Sequence, residues 1–183
     1  MIIKKVKLIK NGCLEVVYTD NEGNDVDLRG ANPCHNDMRD AFKALVPFLV
    51  DLTEQKEADR YDWENPESED NERLIRHLDV SGVTVCGSDA FVSCVITGKR
   101  TLSITNKVLN LNTPPLTLDE ESEGYERLSE LNAAIDAVLE EAKLYLTEQK
   151  YSVVQTTIDF ESTDNPFGND GEAGESDNLE EAV

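Results

Sequence analysis

Polar and apolar residues alternate over Lys4–Lys10 around Val6 and Leu8, which predicts a strand with one apolar face. Asn11-Gly12 follows, a strong short hairpin signal, and Leu14–Tyr18 returns as a second strand. Asp20–Asn24 turns again into Val26-Asp27-Leu28, so the chain opens as a β-meander. Beyond Pro33, Asn36-Asp37 forms a loop and helix N-cap, and Met38, Phe42, Leu45, Leu49 and Leu52 recur at helical spacing. Pro47 falls inside that helix and should kink or divide it. Residues 57–72 are acidic and carry Pro66 beside Tyr61 and Trp63, which reads as a surface loop.

The pattern returns to β at Val80. Val83 and Val85 precede a turn at Gly87-Ser88-Asp89, and a strand runs from Phe91 to Thr97. Gly98-Lys99-Arg100 then turns into Leu102, Ile104 and Val108–Leu111, and Pro114-Pro115 ends the sheet. The clearest helix spans Glu123–Gln149, where Leu128, Leu131, Ile135, Val138, Ala142 and Tyr145 form a stripe for packing on the sheet. A short β-prone run, Tyr151–Phe160, follows. From Glu161 only Phe167 and Leu179 are large and apolar, too little buried surface to offset ordering entropy. The expected fold is α+β, an antiparallel sheet of five to six strands packed by two helices. It comprises a binding domain over residues 1–160 and a disordered acidic tail over 161–183.

Charge adds a gradient to this picture. Of the net −21, residues 1–112 carry −5, residues 113–150 carry −7, and residues 151–183 carry −9 with no basic group. A surplus of that size disfavours the whole surface lying on nucleic acid or an anionic membrane, but leaves room for a local basic face. No stretch approaches the ~20 apolar residues of a membrane helix, and no apolar signal-peptide core opens the chain.

Catalytic chemistry has little to stand on. There is no phosphate-cradling glycine loop, nucleophile elbow or His-x-x-x-His pair, and His35 and His77 read as ordinary surface residues. Cys13, Cys34, Cys86 and Cys94 fit no Cys-x-x-Cys pattern and are expected as reduced, buried thiols. A zinc set of Cys34, His35, His77 and Cys86 can be drawn, but its spacing is irregular. The acids at 119–123 lack the spacing and turn glycine of a divalent-cation loop. The expectation is a binding protein, not an enzyme, with no cofactor and no metal.

Basic residues concentrate on strands: Lys4, Lys5, Lys7 and Lys10 on the first, Lys99 and Arg100 in a hairpin turn, Lys107 on the last. With Tyr18 and Phe91 as stacking rings, such a face could track single-stranded DNA. The plainer alternative is a solubilising edge strand, and on strand chemistry alone it comes first.

Two linear features follow the last helix. Gln155, Ile158 and Phe160 resemble a degenerate sliding-clamp peptide of replication proteins, with Thr156 where leucine is usual; the alternative is a final strand. Pro166-Phe167 in an acidic tail resembles the tails of bacterial single-stranded-DNA-binding proteins, although sixteen residues follow Phe167 here. The layout over residues 1–160 is similar to small tailed-bacteriophage proteins. It shares a Lys-Lys-Val-Lys-Leu strand, an Asn-Pro-x-His-x-Asp-Met-Arg-Asp-Ala-Phe helix start and a Val-Leu-Asn-Leu-Asn-Thr-Pro strand as that resemblance describes them; this chain reads Asn32-Pro33-Cys34-His35-Asn36-Asp37 at the helix start. The resemblance implies a host bacterial cytoplasm and replication or recombination as the setting. A DNA-metabolism accessory, binding single-stranded DNA or replication proteins, is therefore the leading expectation. The alternative is an acidic DNA mimic or decoy that occupies a host defence protein.

Overall fold

A computed structural model describes residues 1–87, 92–119 and 124–152. The strands are β1 (Ile2–Leu8), β2 (Cys13–Thr19), β3 (Asp25–Pro33), β4 (Leu78–Cys86), β5 (Ser93–Thr101), β6 (Val108–Asn112) and β7 (Leu116–Thr117). The helices are α1 (Asn36–Ala44), α2 (Val46–Leu52), α3 (Glu69–Ile75) and α4 (Leu128–Thr147). All pairings are antiparallel, in the order β3-β2-β1-β4-β5-β6, with β7 also on β5. The α+β class holds; among the described residues the sheet has seven strands where five to six were expected, and four α-helices stand where two were.

The differences have local causes. Leu45 ends α1 and Pro47 sits in the first turn of α2, so the proline divides the helix where its ring is tolerated. α3 rises from the acidic stretch read as loop because Ser68 Oγ accepts the Asn71 backbone N–H, and three acids fill its first turn. Two-residue β7 lies past Pro114-Pro115, below what periodicity detects. α4 begins at Leu128, and its predicted stripe is buried at all six positions. α1, α2 and α4 pack on the sheet around Val6, Val16, Val83 and Ile96. A fully buried Leu or Ile contributes roughly 1.5–3 kcal/mol there.

The described chain belongs to one compact unit, Met1–Val153. The boundary at 160, the Tyr151–Phe160 run beyond Ser152 and the tail at 161–183 lie outside the described residues. No helix among the described residues is long and apolar enough to cross a membrane. Cys13, Cys34 and Cys94 are buried free thiols, and burial pushes Cys94 up to about 11. Cys86, expected inside, is exposed at the end of β4.

Glu15 is almost buried on β2, between Lys5 at 2.6 Å and Arg29 at 3.2 Å. The Lys5 hydrogen bond holds its carboxyl below the ordinary 4.5 against the opposing cost of burial. A folded-state value below the unfolded one contributes stability above about pH 4.5, lost as pH falls through the lowered value. Urea-unfolding midpoints should therefore drop as pH falls below 4.5, and Glu15→Gln should remove part of that drop.

Candidate functional site

Most of the cations picked out from sequence are already engaged. Lys4 bonds Asp25 at 2.6 Å, Lys5 bonds Glu15, and Lys99 lies 3.7 Å from Asp79. Arg100 turns inward and forms a two-pronged ion pair with buried Glu57, at 2.8 Å on each prong. Neither Lys99 nor Arg100 is in a turn: both lie on β5, and the chain reverses at 102–107, where Leu102 N–H donates to Lys107 C=O. Lys107 precedes β6 rather than lying on it, and Lys10 belongs to the 3₁₀ turn Lys10–Gly12.

Register also separates the proposed rings from the lysines. Val6 pairs with Val16 on the buried face, so Lys5 and Lys7, opposite Val17 and Glu15, share the other face. Tyr18 has the parity of Val16 and packs against the core. It cannot stack a base beside Lys5 and Lys7. β1 is moreover a central strand between β2 and β4, so its lysines do not guard an edge. Phe91, Gln155, Ile158, Phe160, Pro166 and Phe167 lie outside the described residues.

The fold gathers a different cationic site. A groove of about 820 Å³ runs between α1, α3, the Lys10–Gly12 turn and the β4 strand. Lys10, Arg39, Lys43, Arg76 and Lys99 line it, against Asp40, Glu72 and Asp79, over an apolar floor that includes Phe42, Ile75 and Val80. Lys43 pairs with Glu72 at 3.1 Å. Lys10, Arg39 and Arg76 are exposed and have no carboxylate partner among the described residues. An excess of cations inside so acidic a molecule concentrates positive field at one place, the electrostatics that an anion would need.

Local structure places these groups. Gly12 has φ 74, and a Cβ there would stand 2.6 Å from Arg39 Nη2, so the glycine makes room for the guanidinium. Burial raises the pKa of the Cys34 thiol against the lowering influence of the nearby Arg39 guanidinium. Lys150 clamps Asp37 (2.6 Å) and Glu141 (2.8 Å), tying the start of α1 to α4. His35, expected as a plain loop residue, caps α1 by accepting the Asp37 N–H.

A second cleft of about 620 Å³ adjoins the groove, sharing Asp40, Lys43, Glu72 and Ile75 as lining. Its wall is aromatic. Trp63 meets Phe48 at 5.3 Å and Tyr61 at 4.9 Å between ring centroids, and the Arg127 guanidinium lies 4.2 Å over the indole. In the sequence, Tyr61 and Trp63 fall in a stretch that reads as a surface loop. The signal that was available is the pair of large rings inside a stretch otherwise too polar to need them.

Among the described residues, no group of three or more His, Cys, Asp or Glu side chains could hold a metal ion. Comparison with family models, with curated proteins and with solved structures finds no match.

Proposed function

We propose that this chain is a non-catalytic, DNA-metabolism accessory protein of a tailed bacteriophage that binds single-stranded DNA through the groove between α1 and α3. The observation that carries the reading is the adjacency of two chemistries: unpaired Lys10, Arg39 and Arg76 beside the Trp63–Tyr61 cleft. Single-strand binders combine a cationic track for phosphates with rings for unstacked bases. Of the cations chosen from sequence, Lys10 and Lys99 belong to this groove, and the strand face of Lys4, Lys5 and Lys7 is not required. The phage setting, the host cytoplasm and recruitment of a sliding clamp through Gln155, Ile158 and Phe160 are supported by sequence resemblance alone.

Fluorescence anisotropy with a labelled oligothymidylate tests the site. Binding at ~50 mM salt should weaken steeply as salt rises, by about 0.7 in log–log slope per phosphate contact. Replacing Lys10, Arg39 and Arg76 together by glutamate should cost roughly tenfold or more in affinity and flatten that slope by about 2. Lys7→Glu, on the sheet, should leave both unchanged. Absence of binding at low salt overturns the reading; if a basic host protein is instead captured in a salt-sensitive way, the acidic-decoy function replaces it.

A further inference from the structure

Among the described residues both edge strands of the sheet lack a further strand partner along most of their length, and they differ in chemistry. β3 carries Asp25, Asp27 and Arg29 along its outer positions, the charged guarding common on free edges. β6 has no such guard. Val108 and Leu109 are 58% and 47% exposed, and the turn leading into it presents Leu102 and a 98% exposed Ile104. A free edge strand bearing aliphatic side chains on both faces is a template for another strand.

Charge identifies the strand. Residues 90–118 contain no Asp or Glu, although the chain has 38, and this is its longest acid-free run. Two copies of a chain with net charge −21 repel wherever their acidic surfaces meet. At β6 they can approach without setting acid against acid. We propose that β6 is a homodimer interface, pairing antiparallel with β6 of a second copy across a two-fold axis.

The hydrogen-bond pattern fixes which groups are free to do this. Leu102 N–H donates to Lys107 C=O, and Thr101 N–H donates to His77 on the β4 side. Antiparallel alternation then turns the backbone groups of Leu109 and Leu111 toward β5 and those of Val108, Asn110 and Asn112 outward. With Asn110 on the axis it faces its own counterpart, and Val108 faces Asn112. The turn carrying Ile104 comes alongside exposed Pro114-Pro115 of the other copy, which joins apolar to apolar. Such an isologous contact closes at two copies and makes one sheet through both.

Sedimentation equilibrium on the full chain, over a range of concentration and salt, tests this. The wild type should move from 20.4 kDa toward twice that mass as concentration rises, more readily at high salt, where repulsion between the two acidic bodies is screened. Asn110→Pro removes the central outward N–H while leaving the β5 ladder intact, and should raise the dimer Kd by about tenfold or more. Ile104→Asp with Val108→Asp, both at exposed positions, should do the same and decides the matter if the proline variant misfolds. A chain that stays monomeric at all concentrations and salts, or a dimer that survives the double aspartate, overturns the proposal. A heterologous strand taken up only by the monomer also overturns it. Oligonucleotide binding reads a different surface, so the two results separate.

Discussion

Arg100→Leu should destabilise the protein by roughly 3–5 kcal/mol and leave oligonucleotide affinity of the folded fraction unchanged. The side chain is 13% exposed and its two prongs hold Glu57, itself 5% exposed. Gln55 accepts a further bond at 2.9 Å, so β5 is stitched to the segment after α2 that leads into Tyr61 and Trp63. Removing the guanidinium leaves a carboxylate in a site whose burial disfavours charge. His77 Nε2, 3.2 Å away, compensates only when protonated. In the wild type, burial raises the Glu57 pKa, but the Arg100 hydrogen bonds and charge, with a backbone hydrogen bond and His77, outweigh it and the net shift is downward. Glu57 therefore stabilises the wild type above about pH 4.5, and that contribution is lost as pH falls through the lowered value. In the variant burial is opposed only by a backbone hydrogen bond and by His77. With the Arg100 contribution gone the carboxyl moves up from its wild-type value, so acid should relieve the strain, and the stability gap between wild type and variant should narrow toward low pH. Urea melts from pH 4 to 8 measure this. Arg100→Leu with Glu57→Leu should recover most of the loss, since an apolar pair leaves no stranded charge. A deficit that does not change with pH, or that the double variant fails to reduce, would refute the buried-pair account.

The same residue shows why the sheet was readable from sequence and its polar chemistry was not. Alternation around Val6, Val16, Val83 and Ile96 requires nothing but period two, and those residues are buried where the pattern put them. The stripe of α4 follows equally from period. Gly98-Lys99-Arg100 is a turn by local composition, yet the reversal comes at 102–107, where Asn106 takes φ 53. A glycine needed for packing and an arginine needed for a buried pair look like turn residues until their partners are known. Glu57 and Asn71 mislead in the same way. Asn71 is 2% exposed and donates to the Asp62 and Asn65 carbonyls, so an apparently solvated stretch is pinned from within. Lys5 and Tyr18 could be set on opposite faces only with the β1–β2 register, and a bulge between Ile3 and Lys5 shifts that register. The groove draws on a turn, three helices and three strands, a convergence that no single-segment pattern contains.

Gly98→Ala should cost about 3 kcal/mol, at the upper end of ordinary overpacking, although φ there lies outside the left-handed region. Space is the reason. A Cβ at Gly98 would stand 2.2 Å from Leu49 Cδ2 and 2.6 Å from the Asp79 carbonyl oxygen. Leu49 is wholly buried on α2, and the glycine lets that helix close onto β5 opposite Leu111. The leucine end can rotate away, but the Asp79 carbonyl is part of the β4 backbone that pairs with Lys99 and Gly98, so the strand itself must shift. Leu49→Ala alone should cost roughly 2–5 kcal/mol through its cavity. Combined with Gly98→Ala, the total should fall short of the sum, because the new methyl occupies part of the vacated space. The carbonyl contact keeps the rescue incomplete. Gly30→Ala is the informative comparison, since the three atoms nearest its Cβ would all belong to the Tyr145 ring and hydroxyl, at 1.8 Å from the oxygen, and that hydroxyl donates to the Asn32 carbonyl at 2.7 Å. There Tyr145→Phe should recover more of the loss than Leu49→Ala recovers at Gly98. Unfolding midpoints of the four single and two double variants provide the comparison. A Gly98→Ala change within ~0.5 kcal/mol of wild type would mean that α2 does not hold the sheet as closely as these distances require.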